Sequence, residues 1–126
     1  MAVTGLPPYD RSNVFARILR GEIPCEKVYE DAHALAFRDL RPQAPVHVLV
    51  IPKGEYVSFS DFSDRASDSD IAGFFRAVGT VARQLGLEAT GYRLLANMGS
   101  DSHQEVAHFH VHIFGGRPLG RMLSQV

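Results

Sequence analysis

Residues 108–114 read His-Phe-His-Val-His-Ile-Phe. In an extended strand successive side chains face opposite ways, so His108, His110 and His112 share one face and Phe109, Val111 and Ile113 share the other. Neighbouring imidazoles then stand roughly 6.5–7 Å apart. Core filling does not account for such a row. Each ring needs hydrogen-bond partners or a ligand, because a buried unpaired polar group costs ~1–3 kcal/mol. Three readings compete on this segment alone. The histidines are exposed or hydrogen-bonded without a role; they hold a metal, since His-x-His on a strand suits zinc; or they carry out nucleophilic or acid–base chemistry on phosphorus. A neutral imidazole is a good nucleophile near neutral pH. Protonated neighbours would stabilise phosphate oxygens as negative charge builds on them.

The flanking segments favour phosphorus. Asn97-Met98-Gly99-Ser100-Asp101-Ser102-His103-Gln104-Glu105 lies upstream, and Gly115-Gly116-Arg117 lies downstream. A polar, glycine-containing loop can turn backbone N–H groups and amide side chains toward an anion. A metal site calls for a carboxylate converging on the histidines. Glu105 can supply one, so the metal alternative stays open at this point.

The histidine row needs a sheet to hold it. Val14, Phe15, Ile18 and Leu19 fall on one helical face, with Ser12 or Asn13 as N-cap and Gly21 as the stop. Residues 27–29 and 34–37 read as a strand pair joined by the polar turn 30–33. The β-branched, apolar run 46–51 is a third strand, entered through the rigid loop 41–45. Residues 54–69, rich in Ser and Asp, read as a loop. Ile71, Phe74, Phe75, Val78, Val81, Ala82 and Leu85 recur at steps of three and four, which predicts a long amphipathic helix. Ser67 and Asp70 resemble a capping box at its start, and Gly86 suits its C-terminal cap. Gly73 and Gly79 weaken this helix, and close packing against a sheet would explain them. Residues 92–96 and 109–114 give a fourth and a fifth strand. The expected class is α+β with an antiparallel sheet.

A chain of 126 residues, 45% hydrophobic, is one domain with a real core. A net charge of −1 argues against a dedicated nucleic-acid binder and a polybasic membrane-surface protein. The single cysteine, Cys25, excludes an internal disulfide framework and a cysteine-based zinc knuckle, and reads as a small packed residue. Pro7 and Pro8 interrupt a start that has no apolar core of a signal peptide. The longest apolar run, residues 44–52, falls far short of the ~18 residues that a spanning helix needs. The sequence predicts a soluble cytoplasmic protein.

Residues 108–114 match, at every position, the pattern of three histidines alternating with apolar residues that defines the histidine triad (HIT) family, and the chain resembles that family from about Asn13 to Gly116. Asn13-Val14-Phe15, Gly21-Glu22-Ile23-Pro24, Ala36-Phe37-Arg38-Asp39, Pro42-Gln43-Ala44-Pro45-Val46-His47 and Ile51-Pro52-Lys53 are similar to its Hint branch, and to bacterial members in particular. That branch contains purine nucleoside phosphoramidases.

The resemblance implies a five-stranded antiparallel HIT-like sheet with one long and one short helix, paired into a homodimer. Residues 1–11 read as a flexible N-terminal arm and 117–126 as a C-terminal tail without a clear element, with the HIT domain over 12–116 between them. The resemblance also implies hydrolysis of nucleoside 5′-phosphoramidates, or related mixed anhydrides, with His110 attacking the α-phosphorus to form a nucleotidyl-histidine. By the same match the carbonyl of His108 receives the proton on the other ring nitrogen of His110. His112 contacts the phosphate and the leaving atom, and His47 supports the row from a neighbouring strand. Asp39 matches the position that binds ribose hydroxyls. Leu40, Val14, Phe15 and Ile18 match the walls around the base. Asn97 matches a ribose or phosphate contact, and His103, Gln104 and Glu105 match the loop beside the phosphate. The implied partners are a purine nucleotide substrate and a second copy of the chain, with no nucleic acid, membrane or cofactor.

Three departures stand out. Glu105 replaces a serine found in many relatives, and either donates a proton to the leaving group or turns outward toward a cation such as Arg117. The tryptophan-bearing tail of the family is missing, since the chain has no Trp. Asn13 and Ala16 occupy the positions of a Cys-x-x-Cys zinc pair seen in some members, so no zinc is expected. Two alternatives to the phosphoramidase reading are a regulatory nucleotide-binding protein with incidental hydrolysis and a diadenosine polyphosphate hydrolase.

Overall fold

The side-chain alternation in 108–114 requires a sheet with two covered faces, and the chain builds one. The computed structural model describes residues 3–123. Its elements run α1 (Val14–Leu19), β1 (Lys27–Glu30), β2 (Ala34–Arg38), β3 (Val46–Pro52), α2 (Phe59–Arg65), α3 (Asp68–Gln84), β4 (Arg93–Leu95) and β5 (Val111–Gly115). The five strands form one sheet in the order β1-β2-β3-β5-β4, every pair antiparallel. This is the expected α+β architecture. All the expected strands are present; β4 is shorter than residues 92–96, and β5 starts two residues later than Phe109.

β3 lies at the centre, and six of its seven residues are buried. A strand covered on both faces loses polar alternation and reads as a continuous apolar run, which is what residues 46–52 show. On one face Val48, Val50, Phe109, Val111 and Ile113 pack with Phe74, Ala77, Val78 and Val81 of α3. On the other, Leu35, Phe37, Leu49 and Ile51 pack with Phe15 of α1. The even-numbered histidines thus face the α1 side, and the odd-numbered residues between them fill the α3 side.

Local signals set the helix ends. Asn13 caps α1, its side chain accepting from the N–H of Ala16. Ser67 caps α3 by accepting from the N–H of Asp70. Gly21 and Gly86 follow their helices at φ of 78° and 73°, a left-handed conformation that glycine adopts without penalty. Gly73 is explained by close approach, though to a turn rather than to a strand: a Cβ there would run into the His33 ring. Gly79 faces only the Arg83 side chain.

One expectation fails. Residues 54–69 are not all loop, because α2 occupies Phe59–Arg65. Its seven residues carry too few apolar positions for a periodic signal. Ser58 caps its start, the buried Asp61 pairs with Arg65, and Phe62 stacks on Phe109 with ring centroids 4.9 Å apart. The described part of the arm also contacts the domain. The carbonyl of Gly5 accepts from the Ser58 hydroxyl, and the Tyr9 hydroxyl reaches His108. Residues 1–2 of the arm and 124–126 of the tail lie outside the described residues. Among the described residues no helix is long and apolar enough to cross a membrane.

Candidate active site

Strand register assembles the site. Across β5, His112 stands opposite Leu49 of β3 and Leu95 of β4, and Phe114 stands opposite His47 and Arg93. His108 and His110 precede β5. Their stretch is pinned by the N–H of Phe109, which donates to the carbonyl of Tyr56 at 2.7 Å.

Hydrogen bonds fix where each imidazole carries its proton. Nδ1 of His110 lies 2.7 Å from the carbonyl of His108. A carbonyl only accepts, so Nδ1 carries the proton and Nε2 keeps its lone pair. Nε2 of His108 lies 2.9 Å from the carbonyl of Pro52, so there the proton sits on Nε2. A second relay runs through the loop before β3. The N–H of Gln43 donates to Nδ1 of His47 at 3.1 Å, leaving the proton of His47 on Nε2. That proton points to Nδ1 of His112 at 2.9 Å, with Asp39 Oδ2 also 3.5 Å from the same nitrogen. Nδ1 of His112 is therefore an acceptor and its own proton lies on Nε2. The pair presents a bare nitrogen on His110 beside an N–H on His112, with ring centroids 5.0 Å apart.

Burial keeps these rings uncharged. It pushes His108 and His112 down to about 4, and lowers His110 and His47 from the ordinary histidine value, with Asp39 partly opposing the shift at His110, His112 and His47. This corrects the expectation of protonated neighbours: in the free protein the row offers the cavity one N–H donor, on Nε2 of His112, rather than positive charges.

A cavity of about 300 Å³ opens on this face, at the small end of the size range of ligand sites. Of the residues singled out from sequence, Phe15, Asp39, Asn97, His103, Glu105, His110 and His112 line it. His108 and His47 stand behind the wall and orient the two rings that reach it. Val14, Ile18 and Leu40 are not among the lining residues, and Leu40 is 93% exposed. Gln104 is used structurally: its side-chain oxygen accepts from the N–H of Gly99, and its amide donates to the carbonyls of Val57 and Val106. It shapes the loop and does not face the cavity. Glu105 pairs with His103 at 3.7 Å rather than with Arg117. Gln43, Leu49, Leu95, Ser102, Val106 and Phe114 complete the lining. Period-two alternation in 46–52 and 111–115 points to Leu49 and Phe114, whereas Gln43 and Ser102 carry no sequence signal that separates them from ordinary loop residues.

The described residues contain one group with converging metal-ligand atoms: Asp39, His47 and His112. The carboxylate that joins the histidines is Asp39, not Glu105. Nε2 of His47 and Nδ1 of His112 already share a proton in a 2.9 Å hydrogen bond, so an ion there would have to break that relay.

A two-faced antiparallel sheet carrying neutral, tautomer-fixed imidazoles beside a cavity defines an α+β protein with a histidine-lined site. A family model described as the HIT domain matches residues 20–119, and the chain belongs to the HIT family. It is 62% identical over 117 residues to a 13.2 kDa HIT-like protein of Azospirillum brasilense, covering 93% of this chain and 96% of that one. It is 40% identical over 111 residues to the purine nucleoside phosphoramidase of Escherichia coli, covering 88% and 92% of the two chains. Among solved structures, a histidine triad protein from Clostridium difficile superposes with a TM-score of 0.77 at 41% identity, covering 87% of this chain and 95% of that one. A HIT family hydrolase from Legionella pneumophila gives 0.76 at 42% identity, with coverages of 85% and 95%.

The buried neutral rings make stability depend on pH. An unfolded histidine titrates near 6.5, well above the value of about 4 for His108 and His112. Between these values the unfolded chain binds more protons, so stability rises with pH across the window and is lost as pH falls through it. Urea unfolding at pH 7, 6 and 5 should show falling stability, with a slope of up to about 1.4 kcal/mol per pH unit from each such ring. His112→Asn should flatten the slope. A wild-type stability constant from pH 6.5 to 4.5 would contradict the neutral row.

Proposed function

We propose that this protein is a nucleotide-binding hydrolase that cleaves the P–N bond of nucleoside 5′-phosphoramidates, or the related bond of a mixed anhydride, through a nucleotidyl-histidine intermediate. The observation that carries this reading is the tautomer of His110: with Nδ1–H committed to the His108 carbonyl, Nε2 is an uncharged nucleophile lining the cavity. The purine nucleoside phosphoramidase among its relatives supports the substrate class.

In the first step Nε2 of His110 attacks the α-phosphorus and the P–N bond breaks. The leaving nitrogen departs with a proton drawn from solvent through the open cavity, which the attacking water of the second step returns, and the Nε2–H of His112 hydrogen-bonds the reacting group without giving up its proton. Water then attacks the same phosphorus, the histidine–phosphorus bond breaks, and the nucleoside monophosphate leaves with His110 restored. N–H donors from His112 and the loop around Asn97 and Ser102 stabilise the oxygens on which charge develops. Asp39 receives the ribose hydroxyls with the lone pairs left over from its bond to the Arg41 N–H. Phe15 and Leu49 supply apolar wall for the base.

We also propose that the active form is a symmetric homodimer joined through β4. This strand is a sheet edge with unpaired backbone groups, and Leu94 and Tyr92 are exposed there. Pairing the edge with its twin removes that liability.

His110→Ala should abolish turnover of adenosine 5′-monophosphoramidate while leaving the thermal transition and nucleotide binding close to wild type. A variant that keeps more than about a tenth of the rate, a loss under ~1.4 kcal/mol, would refute the covalent role. Sedimentation at micromolar concentration should report twice the 13.9 kDa chain; a monomer there would remove the dimer and leave the chemistry standing.

A further inference from the structure

The ring of His108 is fully buried, yet both of its nitrogens are engaged. Nε2 donates to the carbonyl of Pro52, so Nδ1 must accept, and its partner is the hydroxyl of Tyr9 at 2.6 Å. Tyr9 comes from the N-terminal arm, 99 residues away in sequence. Its ring meets His108 edge-on at 5.6 Å, while Phe15 closes the same side against both His108 and His110.

The arm is seated independently of this contact. The Ser58 hydroxyl donates to the carbonyl of Gly5 at 2.6 Å. Gly5 lies so close to the 97–105 loop that a Cβ on it would stand 2.8 Å from Met98 Cγ. The arm therefore touches both halves of the site: the loop beside the cavity and the histidine behind the nucleophile.

We propose that Tyr9 is a positioning residue for His110, acting through His108. The hydroxyl holds the His108 ring in one tautomer and one rotamer, and the carbonyl of that same residue accepts the Nδ1 proton of His110. Without the hydroxyl, Nδ1 of His108 sits unpaired in a closed pocket, and the ring must turn or admit water to satisfy it. Either movement shifts residue 108 and loosens the geometry that aims Nε2 of His110. Burial raises Tyr9 above the ordinary phenol value and depresses His108 to about 4, so the proton between them stays on the tyrosine.

The catalytic part of this inference rests on the hydrolase reading, but its structural part does not, and the test separates them. Imidazole nitrogen spectra of the ¹⁵N-histidine-labelled wild-type protein should show His108 as the Nε2–H tautomer with a hydrogen-bonded Nδ1. A protonated Nδ1 on His108 would overturn the proposal whether or not the protein hydrolyses anything. In Tyr9→Phe the Nδ1 proton resonance of His110 should move, and kcat should fall about tenfold with KM unchanged, less than the ~100-fold cost of a 1 Å misplacement of reacting groups. Unchanged resonances with unchanged kcat would overturn it. Should Tyr9→Phe not fold, 3-fluorotyrosine at position 9 keeps the ring and strengthens the donor; movement of the His108 and His110 signals then supports the link, and their constancy refutes it. A wild-type protein with the expected spectra but no phosphoramidase turnover would fail the hydrolase reading alone.

Discussion

The bond from Nδ1–H of His110 to the carbonyl of His108 is the constraint around which the molecule is arranged. At 2.7 Å it commits one ring nitrogen and thereby frees the other. It forms only if residues 108–110 are extended and held. The hold comes from the opposite side of the same backbone: Phe109 drops into the α3-side core between Phe62 and Phe74. Its N–H is tied to Tyr56. The alternation that places three imidazoles on one face places their anchors on the other, so packing and chemistry are set by the same seven residues.

The electrostatics follow from this burial. A charged imidazole in a closed apolar wall is penalised: His108 and His112 stay neutral down to about 4, and His110 is shifted in the same direction. The described lining of the cavity carries two carboxylates, Asp39 and Glu105, and neither lysine nor arginine. Recognition of an anionic group in such a cavity depends on oriented N–H donors, whose placement costs no reorganisation when charge moves. Two hydrogen-bonded sets fix the ring nitrogens that face the cavity: Nδ1–H of His110 donates to the carbonyl of His108, and the N–H of Gln43 sets His47, whose Nε2–H donates to Nδ1 of His112. Each ends in a backbone group that cannot change its role: one in a carbonyl, the other in an amide N–H.

Much of this was legible in the sequence because it rests on period. Strict alternation exposed the face carrying the histidines, and steps of three and four exposed α3. β3 announced itself as a buried run. What stayed hidden depended on single long-range contacts. α2 has only Phe59 and Phe62 as large apolar residues, so its helical nature rests on the Ser58 cap and the Asp61–Arg65 pair rather than on periodicity. Gln104 stands in a loop that resembles a phosphate cradle, yet its amide is spent on Gly99, Val57 and Val106. Tyr9 sits in the stretch read as an arm, and only the fold brings it to His108. Protonation stays hidden for a related reason: a row of histidines on one strand face does not by itself disclose how deeply the next layer covers it.

The chemical identity of the intermediate separates His110 from its neighbours most directly. Mixing the protein with an adenosine phosphoramidate, quenching within milliseconds under mild alkali and sequencing the labelled peptide by mass spectrometry should find the nucleotidyl group on residues 108–114, attached at His110 and formed in a burst before steady state. A burst-competent enzyme whose label sits on His112, on His108 or on no residue of that segment would contradict the assignment of Nε2 of His110 as the nucleophile.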